Sequence, residues 1–325
     1  MSAFNIIFKK WGFALKKIIE VENLTKKYGS FVAVDNISFE AEEGEVVAFL
    51  GPNGAGKTTT MRILTCFMPA NEGTARVDGY DIFDDSFKVR QRIGYLPEFP
   101  PLYPDMTVTS FLRFVAQIKQ VPNREIEAKK DKVIEQCGLE EMKTRMISKL
   151  SKGYKQRVGV AQAIIHDPKV IILDEPTVGL DPNQVIEIRS LIKSLAESKT
   201  VLLSTHILSE AETLCKHIVI IDKGKIVGKG SWSEMQEHLQ EMDVVILVLD
   251  AVDDHKIESI RAIDVVKDIK KDNDGNLRIY CDKGSGAKDR IIRLTSENNW
   301  SIEEIRSEKM TLEEVFKRLT IKEKV

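Results

Sequence analysis

No stretch of the 325-residue chain is apolar for the length of a bilayer-spanning helix, so the protein does not cross a membrane by itself in helical form. Cysteine is scarce, and Cys66, Cys137, Cys215 and Cys281 lie far apart with no CxxC pair. That argues against a disulfide framework and against a zinc site, and fits a reducing cytosol. Neither sign of charge is in excess: 48 Lys and Arg against 50 Asp and Glu leave a formal net charge of -2. A global basic field that would attract nucleic acid is therefore missing. The opening FNIIFKKWGFALKK has its apolar residues interrupted by lysines and lacks the continuous apolar core of a signal peptide. What is present is 42% hydrophobic residues over a length that suggests two domains, enough for at least one sizeable core.

EVVAFL (45–50), VIILDE (170–175), TVLLST (200–205) and HIVIID (217–222) are short, nearly all-apolar runs, the pattern of strands buried on both faces. Helical patterns such as NQVIEIRSLIKSLAES (183–198) lie between them, and this alternation predicts an α/β fold with a mixed, mainly parallel sheet core. Upstream, VENLTKKYGSFVAVDNISFEAEEGE alternates as paired antiparallel strands do, which predicts an antiparallel β subdomain. Helical signals dominate residues 98–165 and predict an inserted helical subdomain. From 241 onward VVILVL, DVVKDIKK and NLRIYCD read as strands, with KDRIIRLTSENN and TLEEVFKRL as helices. The expected division is a basic N-terminal extension at 1–17, a main domain at 18–240 and a small α+β domain at 241–325.

One decapeptide carries chemistry by its spacing. GPNGAGKTTT (51–60) follows the strand that ends at Leu50 and opens an amphipathic helix, the GxxxxGK[ST] pattern of a phosphate-cradling P-loop. Gly51, Gly54 and Gly56 let backbone N–H groups wrap phosphate oxygens, with Pro52, Asn53 and Ala55 completing the loop, and the helix N-terminus adds positive partial charge. Lys57 can reach the β and γ phosphates, Thr58 can coordinate Mg²⁺, and Thr59 extends the cradle. Such a loop needs an acidic strand end to hold the metal, and VIILDEP supplies Asp174 for Mg²⁺ and Glu175 to polarise the attacking water.

In their order along the chain, these motifs resemble the ATP-binding subunit of ABC transporters from about residue 18 to 230. LSKGY (150–154), followed by KQRVGVAQAI, is similar to the family signature, usually LSGGQ. VGLDP (178–182) resembles its D loop, with Asp181, and LLSTHILSEAE places His206 at the switch position. Tyr28 matches the aromatic that stacks on adenine. The resemblance implies ATP and Mg²⁺ as cofactors, and ATP shared between two subunits. Tyr28, the loop from Gly51 to Thr59, Asp174 and Glu175 would come from one, and Ser151 and Gly153 from the other.

Three positions depart from the family pattern. Lys152 replaces the first signature glycine and is read either as solvent-facing or as a phosphate contact; Tyr154 replaces the glutamine. Glu98, in GYLPEFPP, stands where the family has a glutamine that senses metal and water; an ionised acid can bind the metal but cannot donate a hydrogen bond. LSKGYKQR, YLPE and the closing SEKMTLEEVFKRLT together resemble the ATPases of ABC-2 type exporters. That implies separate membrane subunits as partners, a second copy or close relative as dimer partner, and peripheral association with the cytoplasmic face of the membrane. A soluble ABC ATPase of DNA repair or translation, and a low-turnover regulator, are the competing readings. Phe4, Ile7, Phe8, Trp11, Leu15 and Ile18 share one face of a helical plot, which is read either as a helix lying on an anionic membrane or as a disordered extension. The tail is read as regulatory, dimerising or passive. DAVDDHK is taken as an acidic turn, with His255 on the surface.

Overall fold

The computed structural model describes residues 16–239, 242–272, 275–308 and 311–320. The proposed N-terminal helix falls mainly outside them, but Lys17 and Ile18 do not. Both belong to strand β1 (Lys17–Tyr28), and Ile18 is buried in the core, so the helical face does not extend to Ile18. The chain divides into two units, Met1–Ser231 and Trp232–Val325. The division falls before the helix Trp232–Leu239 rather than at the expected 240, because the SWSEMQEHL stretch belongs to the second unit.

In the first unit, β1 pairs antiparallel with β2 (Phe31–Glu42) and with β4 (Glu72–Val77), and a short β5 (Tyr80–Asp81) completes a four-stranded sheet in the order β2-β1-β4-β5. The second sheet has six strands in the order β10-β9-β3-β8-β7-β6: β3 (Val46–Leu50), β6 (Ile93–Leu96), β7 (Val170–Asp174), β8 (Thr200–Thr205), β9 (His217–Asp222) and β10 (Lys225–Ser231). All its neighbours are parallel except β10, which runs antiparallel to β9 at the edge. Strands β7 and β8 are buried at every position, as their all-apolar runs require when both faces are covered. Because β3, β8 and β7 are adjacent and parallel, Leu50, Thr205 and Asp174 end on the same edge of the sheet. Ligand sites of open α/β sheets form outside the carboxyl ends of strands.

Helix α1 (Lys57–Leu64) follows β3 and buries Met61, Ile63 and Leu64. After α2 (Ser86–Arg92) and β6, three helices fill the helical region: α3 (Val108–Ile118), α4 (Ile126–Gln136) and α5 (Lys152–Ile164). In α3 the buried positions are Val108, Phe111, Leu112, Val115 and Ala116, a spacing of three and four that lays one stripe on the core; the Thr107 hydroxyl caps its start by accepting from Ser110 N at 3.2 Å. That stripe joins Val133, Val158 and Leu173 in a single cluster, so the helices share a core with β7. Helix α6 (Pro182–Ala196) starts with proline at its first position and an Asp181 cap that accepts from Gln184 N at 3.0 Å. A short α7 (Leu208–Leu214) follows β8. Away from this edge, the side chain of Asp78 is buried among Lys16, Arg92 and Lys169 at 2.5, 3.1 and 2.9 Å, tying the β4–β5 turn to α2 and to the start of β7.

The second unit opens with α8 (Trp232–Leu239) and continues as β11 (Met242–Leu249), α9 (Asp254–Arg261), β12 (Val266–Lys271), β13 (Leu277–Asp282), α10 (Ala287–Glu297), β14 (Ile302–Glu308) and α11 (Leu312–Thr320). Its four strands pair antiparallel in the order β12-β13-β11-β14, the β-α-β-β-α-β arrangement of a ferredoxin-like domain. Val245, Leu247, Leu277 and Ile279 pack with Ile260 of α9 and Ile291 of α10 in its own core. DAVDDHK is not a turn throughout: Asp253 caps α9 by accepting from Lys256 N at 2.8 Å, and His255 is an exposed residue on that helix. No helix among the described residues is long and apolar enough to cross a membrane.

Candidate functional site

Between Leu50 and Lys57 the chain passes so close to its neighbours at Gly51 and Gly56 that a side chain does not fit at either position. A Cβ on Gly51 would run into the carbonyl of Ile221 on β9, and one on Gly56 would stand 2.5 Å from the Ala33 carbonyl, with Gly56 at φ 110°. These two glycines set the loop, and α1 begins directly after them at Lys57. The Lys57 side chain is only 5% exposed, and its ammonium donates to the carbonyls of Gly51 at 2.8 Å and Pro52 at 3.1 Å.

On the neighbouring strand end, Asp174 and Glu175 differ in environment. Asp174 is fully buried and neither of its carboxylate oxygens makes a hydrogen bond of good geometry. Burial pushes its carboxyl above the usual range, and the nearby Ser204 and Thr58 hydroxyls only partly oppose that. Glu175 takes a left-handed backbone conformation, φ 51°, as the chain turns off β7, and its N–H donates to the Ser204 carbonyl at 3.0 Å. Its two oxygens are held separately: Oε1 lies 3.1 Å from Lys57 Nζ, and Oε2 lies 2.8 Å from His206 Nδ1.

A cleft of about 440 Å³ opens over these groups. Of the sequence-predicted residues it brings together Tyr28, Asn53, Gly54, Gly56, Lys57, Thr58, Thr59, Glu98, Glu175 and His206. Gly51, Pro52 and Ala55 of the same loop, and Asp174, are not among the residues lining it. Three lining residues were not anticipated: Phe31, Ala33 and Val178. The signal for Phe31 is the β1–β2 register, which pairs it with Tyr28 and leaves the two aromatics 62% and 45% exposed at the mouth.

Ser151, Gly153 and Asp181 are not among the residues lining this cleft; they form a second cluster. Ser151 caps α5 by accepting from Tyr154 N at 3.4 Å. A Cβ on Gly153 would meet Gln184 Cδ at 2.6 Å, so the start of α5 packs on the start of α6, which Asp181 caps. Lys152 is exposed, and its ammonium stands against Gly179 in the turn after β7. It is thus exposed while lying beside its own chain's loop.

The ABC transporter family model matches residues 34–178. The bacitracin transport ATP-binding protein BcrA of Bacillus licheniformis is 34% identical over 94% of this chain and 98% of its own length. This chain belongs to the ABC transporter ATP-binding subunits. The linearmycin resistance ATP-binding protein LnrL of Bacillus subtilis is 33% identical over 78% of this chain and 81% of that protein. A dimeric ABC transporter cassette, MJ0796, solved in a post-hydrolysis state with ADP and Pi, superposes with a TM-score of 0.60 at 28% identity, covering 66% of this chain and 98% of that one. The first unit is therefore the P-loop ATPase fold of this family, and the chain of this ABC ATPase binds and hydrolyses ATP.

The residues present fit a divalent cation beside the nucleotide. Asp174 is a buried carboxylate without a hydrogen-bonding partner, close to the Thr58 hydroxyl, and so offers the hard oxygen donors that such an ion takes. Among the described residues there is no cluster of three His, Cys, Asp or Glu side chains able to hold a metal without the phosphates.

Proposed function

We propose that the chain is the motor subunit of an ABC-2 type exporter, working as a dimer on separate membrane subunits. The observation that carries it is the likeness to a bacitracin transport ATP-binding protein along 94% of the chain, the second unit included. Further relatives are named for linearmycin resistance and Nod factor export. Attachment to the membrane would then be peripheral and through the partner subunits, on the side where ATP is available.

At the site, Tyr28 stacks on adenine while the loop from Gly51 to Thr59 and Lys57 hold the phosphates. Asp174 and Thr58 would hold Mg²⁺, which would supply positive charge against the phosphates, and Glu98 lines the same cleft as Thr58. Glu175 accepts the proton of the attacking water, with His206 orienting its second oxygen. Ser151 and Gly153 reach the γ phosphate on the opposite subunit, and Asp181 caps the helix that supports them. Lys57 must leave Glu175 to meet a phosphate, so nucleotide entry frees the base.

Affinity purification of the chain from detergent-solubilised native membranes tests this reading. The expected result is co-purification of a polytopic membrane subunit together with ATPase activity. Recovery in the soluble fraction with ribosomes or DNA, and without a membrane protein, overturns it.

A further inference from the structure

Glu210 is a carboxylate in the first turn of α7, 1% exposed, and no step of the hydrolysis uses it. Its position is costly unless something compensates, because a buried charge must be paired or hydrogen-bonded. Three groups provide for it. The Thr177 hydroxyl donates to Oε1, the Thr205 hydroxyl donates to Oε2 at 2.7 Å, and Arg189 Nη2 on α6 stands 3.7 Å from Oε1 while donating to Ser209 Oγ at 3.2 Å.

The identity of these partners gives the arrangement its meaning. Thr177 lies two residues after Glu175, in the turn that leads to Gly179 and Asp181. Thr205 immediately precedes His206, accepts from Ile207 N at 3.0 Å through its own hydroxyl, and receives Gly51 N on its carbonyl at 3.3 Å. One carboxylate thus clamps the segment carrying the base to the segment carrying the histidine that touches it, and the second of these segments touches the phosphate loop. A side chain ending in two polar atoms, each offered to one hydroxyl, can do this.

We infer that Glu210 is a positioning residue for hydrolysis: through Thr177 and Thr205 it holds Glu175 Oε2 and His206 Nδ1 in register, and it touches neither nucleotide nor water. This rests on the assignment of Glu175 and His206 to the chemistry. Misplacing a catalytic group by about 1 Å costs on the order of 100-fold in rate, so losing the clamp lowers turnover while leaving the phosphate cradle to bind.

The test measures kcat and nucleotide affinity separately for the full-length chain and its variants. Glu210→Ala is expected to lower kcat by about tenfold or more with ATP affinity kept within about threefold, and Glu210→Gln, whose amide can still serve both hydroxyls, to retain more turnover than the alanine variant. Thr177→Val removes one clamp donor at nearly constant volume and is expected to lower kcat in the same sense without loss of affinity; it decides the matter where Glu210→Ala does not fold. Unchanged kcat in Thr177→Val or in folded Glu210→Ala overturns the inference, as does a parallel fall of kcat and affinity with no recovery in Glu210→Gln. Glu175→Gln measured alongside separates the two levels: turnover in that variant refutes the base assignment whatever the Glu210 series shows.

Discussion

Glu175 is gripped from both sides, with Lys57 Nζ 3.1 Å from one carboxylate oxygen and His206 Nδ1 2.8 Å from the other. The lysine contact joins the glycine loop to the acidic end of β7, and the lysine ammonium also satisfies two carbonyls of its own loop. A phosphate entering the loop competes for that ammonium.

Replacing Glu175 by glutamine is expected to abolish proton acceptance and to lower the hydrolysis rate by about 100-fold or more, the range for loss of a general base. ATP binding should persist, because the cradle is untouched and the amide can still accept from Lys57. Lys57→Ala should instead weaken binding itself. Radiolabelled phosphate release and nucleotide titration, run on both variants, check the pair.

Much of this site was legible in the sequence because its geometry demands particular residues at fixed spacing. Gly51 and Gly56 have no room for a side chain, Lys57 must open the helix, and Asp174 must end a buried strand. What could not be read depends on register and on packing across elements. Phe31 lines the cleft only because β1 and β2 pair Tyr28 with it, and Glu210 looks like an ordinary helix carboxylate until Thr177 and Thr205 are seen to converge on it. In the second unit, β14 escaped notice because the apolar residues of IEEIRSE, Ile302 and Ile305, stand three apart, not two, on an edge strand. The boundary shifted because a helix of SWSEMQEHL reads the same whichever unit it serves.

The Asp78 cluster gives a pH dependence with a defined sign. Burial pushes the Asp78 carboxyl up, but hydrogen bonds and charge from Lys16 and Lys169 outweigh it and hold the group at about 2, below its ordinary 3.8. A folded value below the unfolded one contributes stability that is present above 3.8 and lost as pH falls toward 2. Asp78→Asn should cost about 1–2 kcal/mol at neutral pH, since the buried side chain loses its charge-assisted hydrogen bonds to Lys16, Arg92 and Lys169, which are themselves partly exposed. The gap between variant and wild type should close as pH drops from 4 toward 2. Urea unfolding across that range measures it, and a gap that does not narrow refutes the assignment.

The second unit has its own core, centred on Leu247, Leu277, Ile279 and Ile291, and among the described residues those lining the cleft all belong to the first unit. A chain ending at Ser231 is therefore expected to fold and to bind ATP with an affinity within about threefold of the full chain, as independent domains do. Circular dichroism and nucleotide titration of the shortened chain test this. Loss of binding in a folded protein would mean that the second unit takes part in nucleotide binding.

The separation of Ser151 and Gly153 from the cleft leads to a test of the shared site. If ATP lies between the loop of one chain and the signature of another, neither Lys57→Ala nor Ser151→Ala homodimers contain an intact site. A mixed dimer differs. One of its sites combines both defects, while the other joins the normal loop of the Ser151→Ala chain to the normal signature of the Lys57→Ala chain. Mixing the two variants should recover hydrolysis that neither shows alone. If both sites must fire together, mixing restores nothing even when the geometry is right, so a second measurement is needed. Glu175→Gln should form an ATP-dependent dimer in sedimentation, because closure without hydrolysis traps the nucleotide between two chains. Absence of that dimer together with absence of recovery, with the membrane subunits present, would show that Ser151 and Gly153 do not complete a site in trans.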